Sequence, residues 1–158
     1  MYKSILDSPI GRITVGASGT AVTFIGFREG QETLPANEVS ELARTQLEEY
    51  FSGNRLEFGF ATDQPGTPFQ QQVWSELRQV KPGNPISYTA LAKRMGNLPA
   101  IRAIASANGR NNLMIVVPCH RIIGANGDLV GYAGGLWRKK WLLDHEAKLT
   151  GTGQSSLF

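Results

Sequence analysis

Cysteine and histidine are scarce in this chain of 158 residues, which contains one cysteine and two histidines. A single cysteine cannot form an intramolecular disulfide, and so few ligands argue against a closed structural zinc site. No apolar stretch approaches the roughly 20 residues of a membrane-spanning helix, and no signal-peptide core follows Met1. We therefore exclude a disulfide-stabilised secreted domain and a membrane protein, and we expect a cytoplasmic protein with no metal site.

Charged residues make up only 18% of the chain, and they are distributed unevenly. Residues 1–62 contain five Lys or Arg and eight Asp or Glu, a balance of −3. Residues 63–158 contain eleven and five, a balance of +6. This asymmetry is typical of a nucleic-acid-binding domain joined to a domain that does not bind nucleic acid. A solvated basic face without a partner is the alternative interpretation.

The first part of the chain predicts a small α/β domain. Runs of β-branched and aromatic residues, separated by glycine and proline, predict strands at 2–6, 12–17, 21–27 and 56–60. Apolar residues switch to helical spacing at 37–51. The buried face that we expect for this helix consists of Val39, Leu42, Leu47 and Phe51.

A linker is predicted at 63–68, which contains two prolines and a glycine and has no apolar residue to bury. The charge balance changes sign at the same place. We therefore predict two domains, 1–62 and 63–158.

The second domain is predicted to be mainly helical, with helices at 69–80, 88–95, 100–107 and 136–148. Thr67 or Gly66 would cap the first of these helices and Ser87 the second. Two short helices joined by a tight glycine turn, at about 88–108, resemble a helix-turn-helix, with a plain helical hairpin as the alternative. Further expectations are short strands at 113–117 and 122–127, an outward-facing basic run at 138–140 and a polar tail at 151–158.

The only cysteine, Cys119, lies in the motif Pro118-Cys119-His120-Arg121. A thiolate is a strong nucleophile, and a neighbouring imidazole is the usual group that generates it. Cysteine is also among the most buried residue types, so that an inert core thiol is the competing interpretation for this tetrapeptide alone.

The sequence from 67 to 146 resembles the O6-alkylguanine-DNA alkyltransferase family almost continuously. The resemblance includes the cysteine motif with Ile122, the opening helix from Thr67-Pro68-Phe69 to Val73-Trp74, and the pocket loop Gly131-Tyr132-Ala133-Gly134-Gly135. It extends to Ser87-Tyr88, Leu91-Ala92, Asn111, Trp141-Leu142-Leu143 and His145-Glu146. The family resemblance implies a ribonuclease H-like N-terminal α/β domain, with an antiparallel sheet plus a helix, and a C-terminal winged helix-turn-helix domain.

The resemblance also implies a function: irreversible transfer of an alkyl group from O6 of guanine in DNA to Cys119. His120 would act as general base through a water molecule, Glu146 would orient His120, and Tyr88 would donate a proton to the guanine. For Glu146 alone, a solvated helix residue is the alternative. The thioether product cannot be reversed by any side chain of the site, so that each chain would act once, without a cofactor.

DNA recognition is implied by the same resemblance. Arg102 would be the finger that fills the gap left by a flipped base, with a phosphate contact or a solvated charge as alternatives. Asn111 would be the hinge between the recognition helix and the cysteine, and Arg121 a structural residue. Further DNA contacts would be Ser87, Ala103 and Arg110, and the substrate pocket would include Val117, Tyr132 and Ala133. The partner would be double-stranded DNA carrying O6-alkylguanine, bound through its minor groove by a monomer.

Two departures from the family pattern stand out: Asn112 replaces the usual proline after the hinge asparagine, and Ala133 replaces a frequent serine.

Three other classes of protein compete with a DNA repair protein: an alkyltransferase-like lesion binder, which would lack the cysteine, a winged-helix thiol sensor and a Cys-His hydrolase. The sequence leaves open the preferred alkyl size, the choice between O6-guanine and O4-thymine, and cooperativity on DNA.

Overall fold

The computed structural model describes residues 1–28 and 33–152, and the chain divides into two compact units. The first unit comprises Met1–Pro65 together with Asn112–Val116, and the second comprises Gly66–Asn111 and the chain from Val117 onward. The segment 112–116 thus returns to the first unit. The domain boundary at 62/63 stays a prediction. Of the predicted polar tail, residues 153–158 lie outside the described residues.

The described residues of the first unit form an antiparallel sheet and one helix, as the sequence analysis predicted. Strands β1 (Tyr2–Ser8), β2 (Gly11–Ala17) and β3 (Val22–Gly26) pair in the order β1-β2-β3. A tight turn at residues 9–11 joins β1 to β2, and Gly11 adopts a φ of 112° there, which favours glycine. Alternate side chains of the strands form the core with α1 (Glu38–Phe51), including Ile13, Val15, Ile25, Leu47 and Tyr50.

The buried face of α1 differs from the predicted one. Leu42 is 45% exposed, whereas Ser40 and Gln46 are buried. These polar residues are tolerated because they are hydrogen-bonded: Ser40 Oγ pairs with Ser4 Oγ, and Gln46 Oε1 accepts from the Gly59 backbone N–H. The latter contact also explains why the predicted strand at 56–60 is absent, since this backbone donor bonds to a side chain instead of a neighbouring strand.

The predicted strand at 113–117 is also absent. Only Leu113 pairs with the sheet, in a parallel bridge to Ile25. The chain then reverses in a three-residue turn, in which the Val116 N–H donates to the Met114 carbonyl and Ile115 has a φ of 74°. This conformation costs a β-branched residue about 1–3 kcal/mol, which burial of its side chain offsets.

Over its described residues, 66–111 and 117–152, the second unit contains four α-helices, two short 3₁₀ helices and one pair of very short strands. Its elements are α2 (Pro68–Leu77), β4 (Ile86–Ser87), α3 (Tyr88–Arg94), α4 (Ile101–Gly109), β5 (Ile122–Ile123) and α5 (Leu136–Thr150). Thr67 caps α2 in a capping box and Ser87 caps α3, so both predicted caps are confirmed. The predicted strand at 122–127 is reduced to β5 because the chain turns at 124–127, where the Gly127 N–H donates to the Gly124 carbonyl at 2.9 Å and Gly127 has a φ of 82°.

Packing within this unit joins the helix-turn-helix pair to α2. Helices α3 and α4 flank a turn at Gly96, whose φ is 68°. The buried indole of Trp74 in α2 donates a hydrogen bond of 2.9 Å to the Ala107 carbonyl near the end of α4. This anchor leaves the opposite face of α4 exposed, including Arg102, Ala103, Ala105 and Ser106, and Arg110 after its end is exposed as well.

Candidate active site

Cys119 lies at the start of a short 3₁₀ helix, Cys119–Arg121, directly after a sharp turn. Pro118 has φ −81° and ψ 65°, the geometry of an inverse γ-turn, and the Cys119 N–H donates to the Val117 carbonyl at 2.7 Å. Proline favours this turn because its ring fixes φ. The cysteine is 6% exposed, so that the thiol is held in place below the surface.

Two short strands bring Tyr88 towards the cysteine. β4 directly precedes Tyr88, and β5 directly follows the Cys119–Arg121 turn. Because these strands pair in parallel, Ile86 with Ile122 and Ser87 with Ile123, the start of α3 and the cysteine turn become neighbours. The sequence alone did not predict this pairing.

A buried ionic cluster lies beside the cysteine and links it to α5. Glu146 is fully buried, which excludes the solvated alternative considered for it. Its carboxylate lies 2.8 Å from His120 Nε2 and accepts from Arg121 Nε at 2.8 Å and from Arg121 Nη2 at 2.9 Å. Arg121 also donates to the Val80 carbonyl at 2.7 Å, which ties the cysteine turn to the segment after α2.

The charge state of this cluster fixes the histidine tautomer. Burial acts to raise the pKa of Glu146, but interactions with His120 and Arg121 outweigh it and hold that pKa well below 4.5. Burial lowers the pKa of His120 below 6.5. A carboxylate can only accept, so that neutral His120 donates from Nε2 and keeps its basic lone pair on Nδ1. Nδ1 is buried and has no hydrogen-bond partner among the described residues.

The resting thiol of Cys119 is protonated at neutral pH, since burial raises its pKa. A hydrogen bond with Asn111 and the charge of Lys139 act in the opposite direction. A thiol of this kind needs a base at the moment of reaction, and the arrangement of His120 supplies a candidate.

Asn111 and Val117 form a second set of contacts around the cysteine turn. Asn111 Nδ2 donates to the Val117 carbonyl at 2.9 Å, and the same carbonyl accepts from the Cys119 N–H. Both lone pairs of this oxygen are therefore engaged. The contact places Asn111 where a hinge residue would act, between the end of α4 and the cysteine.

The loop before α5 is attached to that helix by a buried lysine. The prediction that residues 138–140 face outward is wrong for Lys139, whose side chain is fully buried. Its ammonium group donates to the carbonyls of Ile122, Val130 and Gly131. The sequence signal was its spacing, because Lys139 lies on the same helical face as the buried residues Leu142, Leu143 and Glu146.

Two pocket residues that were predicted from the loop differ in exposure. Ala133 is exposed, whereas the Tyr132 hydroxyl is buried and has no hydrogen-bond partner within the described part of the chain. Burial, together with the charge that Cys119 carries at high pH and the charge of Glu146, raises the pKa of Tyr132 well above 10. Tyr132 is therefore a neutral phenol near the thiol and the carboxylate.

The residues predicted to contact DNA are not part of this buried cluster. Arg102 and Ala103 lie on the exposed face of α4, and Arg110 is the exposed residue directly after its end. The Ser87 hydroxyl accepts from the Ala90 N–H as the cap of α3. The predicted site thus divides into a buried group around Cys119 and an exposed helical surface.

One buried polar residue of the site was missed in the sequence. Asn108, in the last turn of α4, donates from Nδ2 to Tyr88 Oη at 3.2 Å and to the Cys119 carbonyl at 3.4 Å. Its position four residues after buried Ile104 is the signal that could have placed it on the inner face of α4.

Comparisons with known proteins agree with this arrangement. Residues 68–148 match the family model described as the 6-O-methylguanine DNA methyltransferase DNA binding domain, and residues 1–64 match that of its ribonuclease-like domain. A methylated-DNA–protein-cysteine methyltransferase of Methanosarcina acetivorans is 39% identical over 153 residues, covering 92% of this chain and 98% of that protein. The protein of the same name from Shigella flexneri is 46% identical over 123 residues, covering 77% and 71%.

Solved structures give the same result. The crystal structure of Mycobacterium tuberculosis OGT in complex with DNA has a TM-score of 0.86 at 39% identity and covers 94% of both chains. The O6-methylguanine methyltransferase of that organism has a TM-score of 0.84 at 38% identity and covers 93% of both chains. This chain belongs to the O6-methylguanine DNA methyltransferase family. Its predicted fold class, a ribonuclease-like α/β domain followed by a helical DNA-binding domain, is confirmed.

Among the described residues, no helix has the length and apolar character that crossing a membrane would require.

Proposed function

We propose that this protein repairs DNA by transferring a methyl group from O6 of guanine to its own Cys119. The observation that carries the proposal is the buried cluster in which Glu146 holds His120 Nε2 at 2.8 Å, directly beside the only cysteine. The family membership supports the same activity.

The thiol proton leaves through His120. Its Nδ1 lone pair is the one basic position that the Glu146 contact leaves available on the ring, and a bridging water carries the proton from Cys119 Sγ to it. Glu146 stabilises the imidazolium that forms, as a carboxylate does in a catalytic triad. Arg121 keeps Glu146 ionised and is a structural member of this group.

The thiolate then displaces guanine from the methyl carbon. The S–C bond forms while the C–O6 bond breaks, and the electron pair of that bond passes to the purine. Tyr88 donates its hydroxyl proton to the purine as this charge develops. The guanine amino group binds the Cys119 carbonyl, since the Val117 carbonyl already accepts two hydrogen bonds. Tyr132 and the backbone of Ala133 line the pocket, and Asn111 is its hinge.

The substrate is double-stranded DNA from which the damaged base is flipped into the pocket. The exposed face of α4 carries small side chains, including Ala103, which allow close approach to the minor groove. Arg102 is the finger that fills the gap in the base stack, and Arg110 and Ser87 contact the backbone. Residues 1–62 serve as a scaffold domain for the DNA-binding and acceptor domain 63–158.

The product thioether is stable, so that each chain reacts once. The step balances without a metal or an organic cofactor, and a monomer contains every group that it uses. Because Cys119 must remain a reduced thiol, the cytoplasm is the compartment that suits the protein. O4-methylthymine is a second substrate to be compared with O6-methylguanine.

The test is an intact-mass measurement after incubation with duplex DNA containing O6-methylguanine. We expect a gain of one methyl group on Cys119, at most one per chain, and none in Cys119→Ala. Release of more than one equivalent of repaired DNA would indicate turnover, as in a hydrolase, and would overturn the proposal. DNA binding without any transfer would indicate a lesion binder or a sensor instead.

A further inference from the structure

Asn108 occupies a position in the site that the mechanism above does not use. The residue belongs to α4 and is 6% exposed. Its side-chain amide spans two groups of that mechanism, the hydroxyl of Tyr88 at 3.2 Å and the backbone carbonyl of Cys119 at 3.4 Å. These two neighbours determine whether the NH₂ group or the oxygen of the buried amide faces each of them.

The Cys119 carbonyl fixes the orientation of the amide. A carbonyl oxygen can only accept, so that the NH₂ group of Asn108, and not Oδ1, must face it. The same NH₂ group then faces Tyr88 Oη, and Tyr88 accepts in this hydrogen bond. Because the Tyr88 oxygen accepts this hydrogen bond, the hydroxyl proton of Tyr88 can point at another group.

We propose that Asn108 is a positioning residue for the alkyl transfer: it directs the Tyr88 proton toward the departing purine and stabilises the phenol oxygen as that proton leaves. This inference rests on the proposed function, because it requires Tyr88 to be the donor. Burial raises the pKa of Tyr88, and the Asn108 hydrogen bond opposes that rise. The hydrogen bond strengthens as negative charge develops on the phenol oxygen, which is when the C–O6 bond of the substrate breaks.

The experiment compares two alkyl donors in a double-mutant cycle. Asn108→Leu preserves the approximate size of the side chain and removes its donor, and Tyr88→Phe removes the phenol. Transfer from free O6-benzylguanine needs a proton for the leaving group, whereas alkylation of Cys119 by iodomethane releases iodide and needs none. We expect Asn108→Leu to slow benzyl transfer about tenfold or more. In a Tyr88→Phe background the same change should have less than about a twofold effect.

Iodomethane separates a positioning role from a merely structural one. Its reaction with Cys119 should stay within about twofold of wild type in Asn108→Leu, because a proton for the leaving group is not required. Equal slowing of both alkyl donors, or an unchanged Asn108→Leu effect in the Tyr88→Phe background, would overturn the role of Asn108 alone. If the wild-type protein reacts neither with O6-benzylguanine nor with methylated DNA, both the proposed function and the role of Asn108 are overturned. If Asn108→Leu does not fold, Asn108→Ser, which is too short to reach Tyr88, gives the same two comparisons.

Discussion

At the residue scale, Glu146 is the side chain on which the buried ionic cluster depends. Its pKa lies well below the ordinary value of 4.5, so that the unfolded chain takes up a proton at a higher pH than the folded one. The stability that Glu146 contributes is thus fully present above about pH 4.5 and is lost as the pH falls further. His120 acts in the same direction below 6.5, because burial lowers its pKa.

We predict that Glu146→Gln lowers the free energy of unfolding by about 3–5 kcal/mol, since it removes one partner of a buried ion pair and leaves Arg121 uncompensated. The measurement is urea unfolding at pH 7, repeated down to pH 3, where the variant should lose less stability than the wild type does. The matched control is Asp144→Asn, which removes the partly exposed ion pair with Lys140 and should cost less than about 1 kcal/mol. Equal losses in the two variants would contradict the assigned role of Glu146.

How far single residues were predictable depended on the distance over which they interact. Cys119 and His120 are adjacent in the chain, and their pairing was visible as a motif. Glu146 is 26 residues from His120, and only the resemblance to the family pointed to it. The predicted helix at 100–107 stops short of Asn108, whose partners Tyr88 and Cys119 meet it only after β4 and β5 have paired.

At the element scale, the buried ammonium group of Lys139 attaches the loop that precedes α5. It donates to three backbone carbonyls, one in β5 and two in the loop, at Ile122, Val130 and Gly131. Burial lowers its pKa from 10.5 to about 8. The charge therefore costs desolvation energy in the folded state, and the contacts with the carbonyls offset that cost. Because the desolvation cost and the carbonyl contacts nearly cancel, we expect Lys139 to order the loop before α5 more than it raises the free energy of unfolding.

We predict that Lys139→Met increases amide hydrogen exchange in residues 128–135 by about tenfold or more, because the carbonyls of Val130 and Gly131 lose the ammonium group that attaches the loop to α5. Benzyl transfer from O6-benzylguanine to Cys119 should slow, because Tyr132, which lines the pocket, becomes more mobile. The control is Lys140→Met, which removes an exposed neighbouring charge and should leave exchange in the loop unchanged. Exchange that rises equally throughout the second unit would show that Lys139 stabilises the whole unit instead.

Elements were predictable where local chemistry sets them. Thr67 and Ser87 start α2 and α3 through capping bonds that are encoded within four residues. The predicted strands at 56–60 and 113–117 failed for tertiary reasons. Gln46 captures the Gly59 backbone donor, and Ile115 reverses the chain at a positive φ that no propensity would assign to isoleucine.

At the scale of the whole molecule, basic charge and acceptor chemistry lie in the same part of the sequence. The balance of +6 belongs to residues 63–158, which contain both the exposed face of α4 and Cys119. Basic charge gives salt-sensitive binding that does not depend on sequence. The proposed finger role requires Arg102 to replace a base in the stack, which a dispersed positive charge cannot do.

We therefore predict that Arg102→Ala slows transfer from O6-methylguanine in duplex DNA at least about tenfold, because flipping costs a few kcal/mol that the finger would no longer offset. Transfer from free O6-benzylguanine should change less than about twofold, since no base is flipped. Lys148→Ala is the matched control: it removes one exposed positive charge at the end of α5 and should weaken duplex binding only slightly. Single-turnover rates on both substrates provide the measurement. Equal slowing of the duplex and free-base reactions by Arg102→Ala, or equal effects of the two variants on the duplex, would show that Arg102 is only one phosphate contact among several.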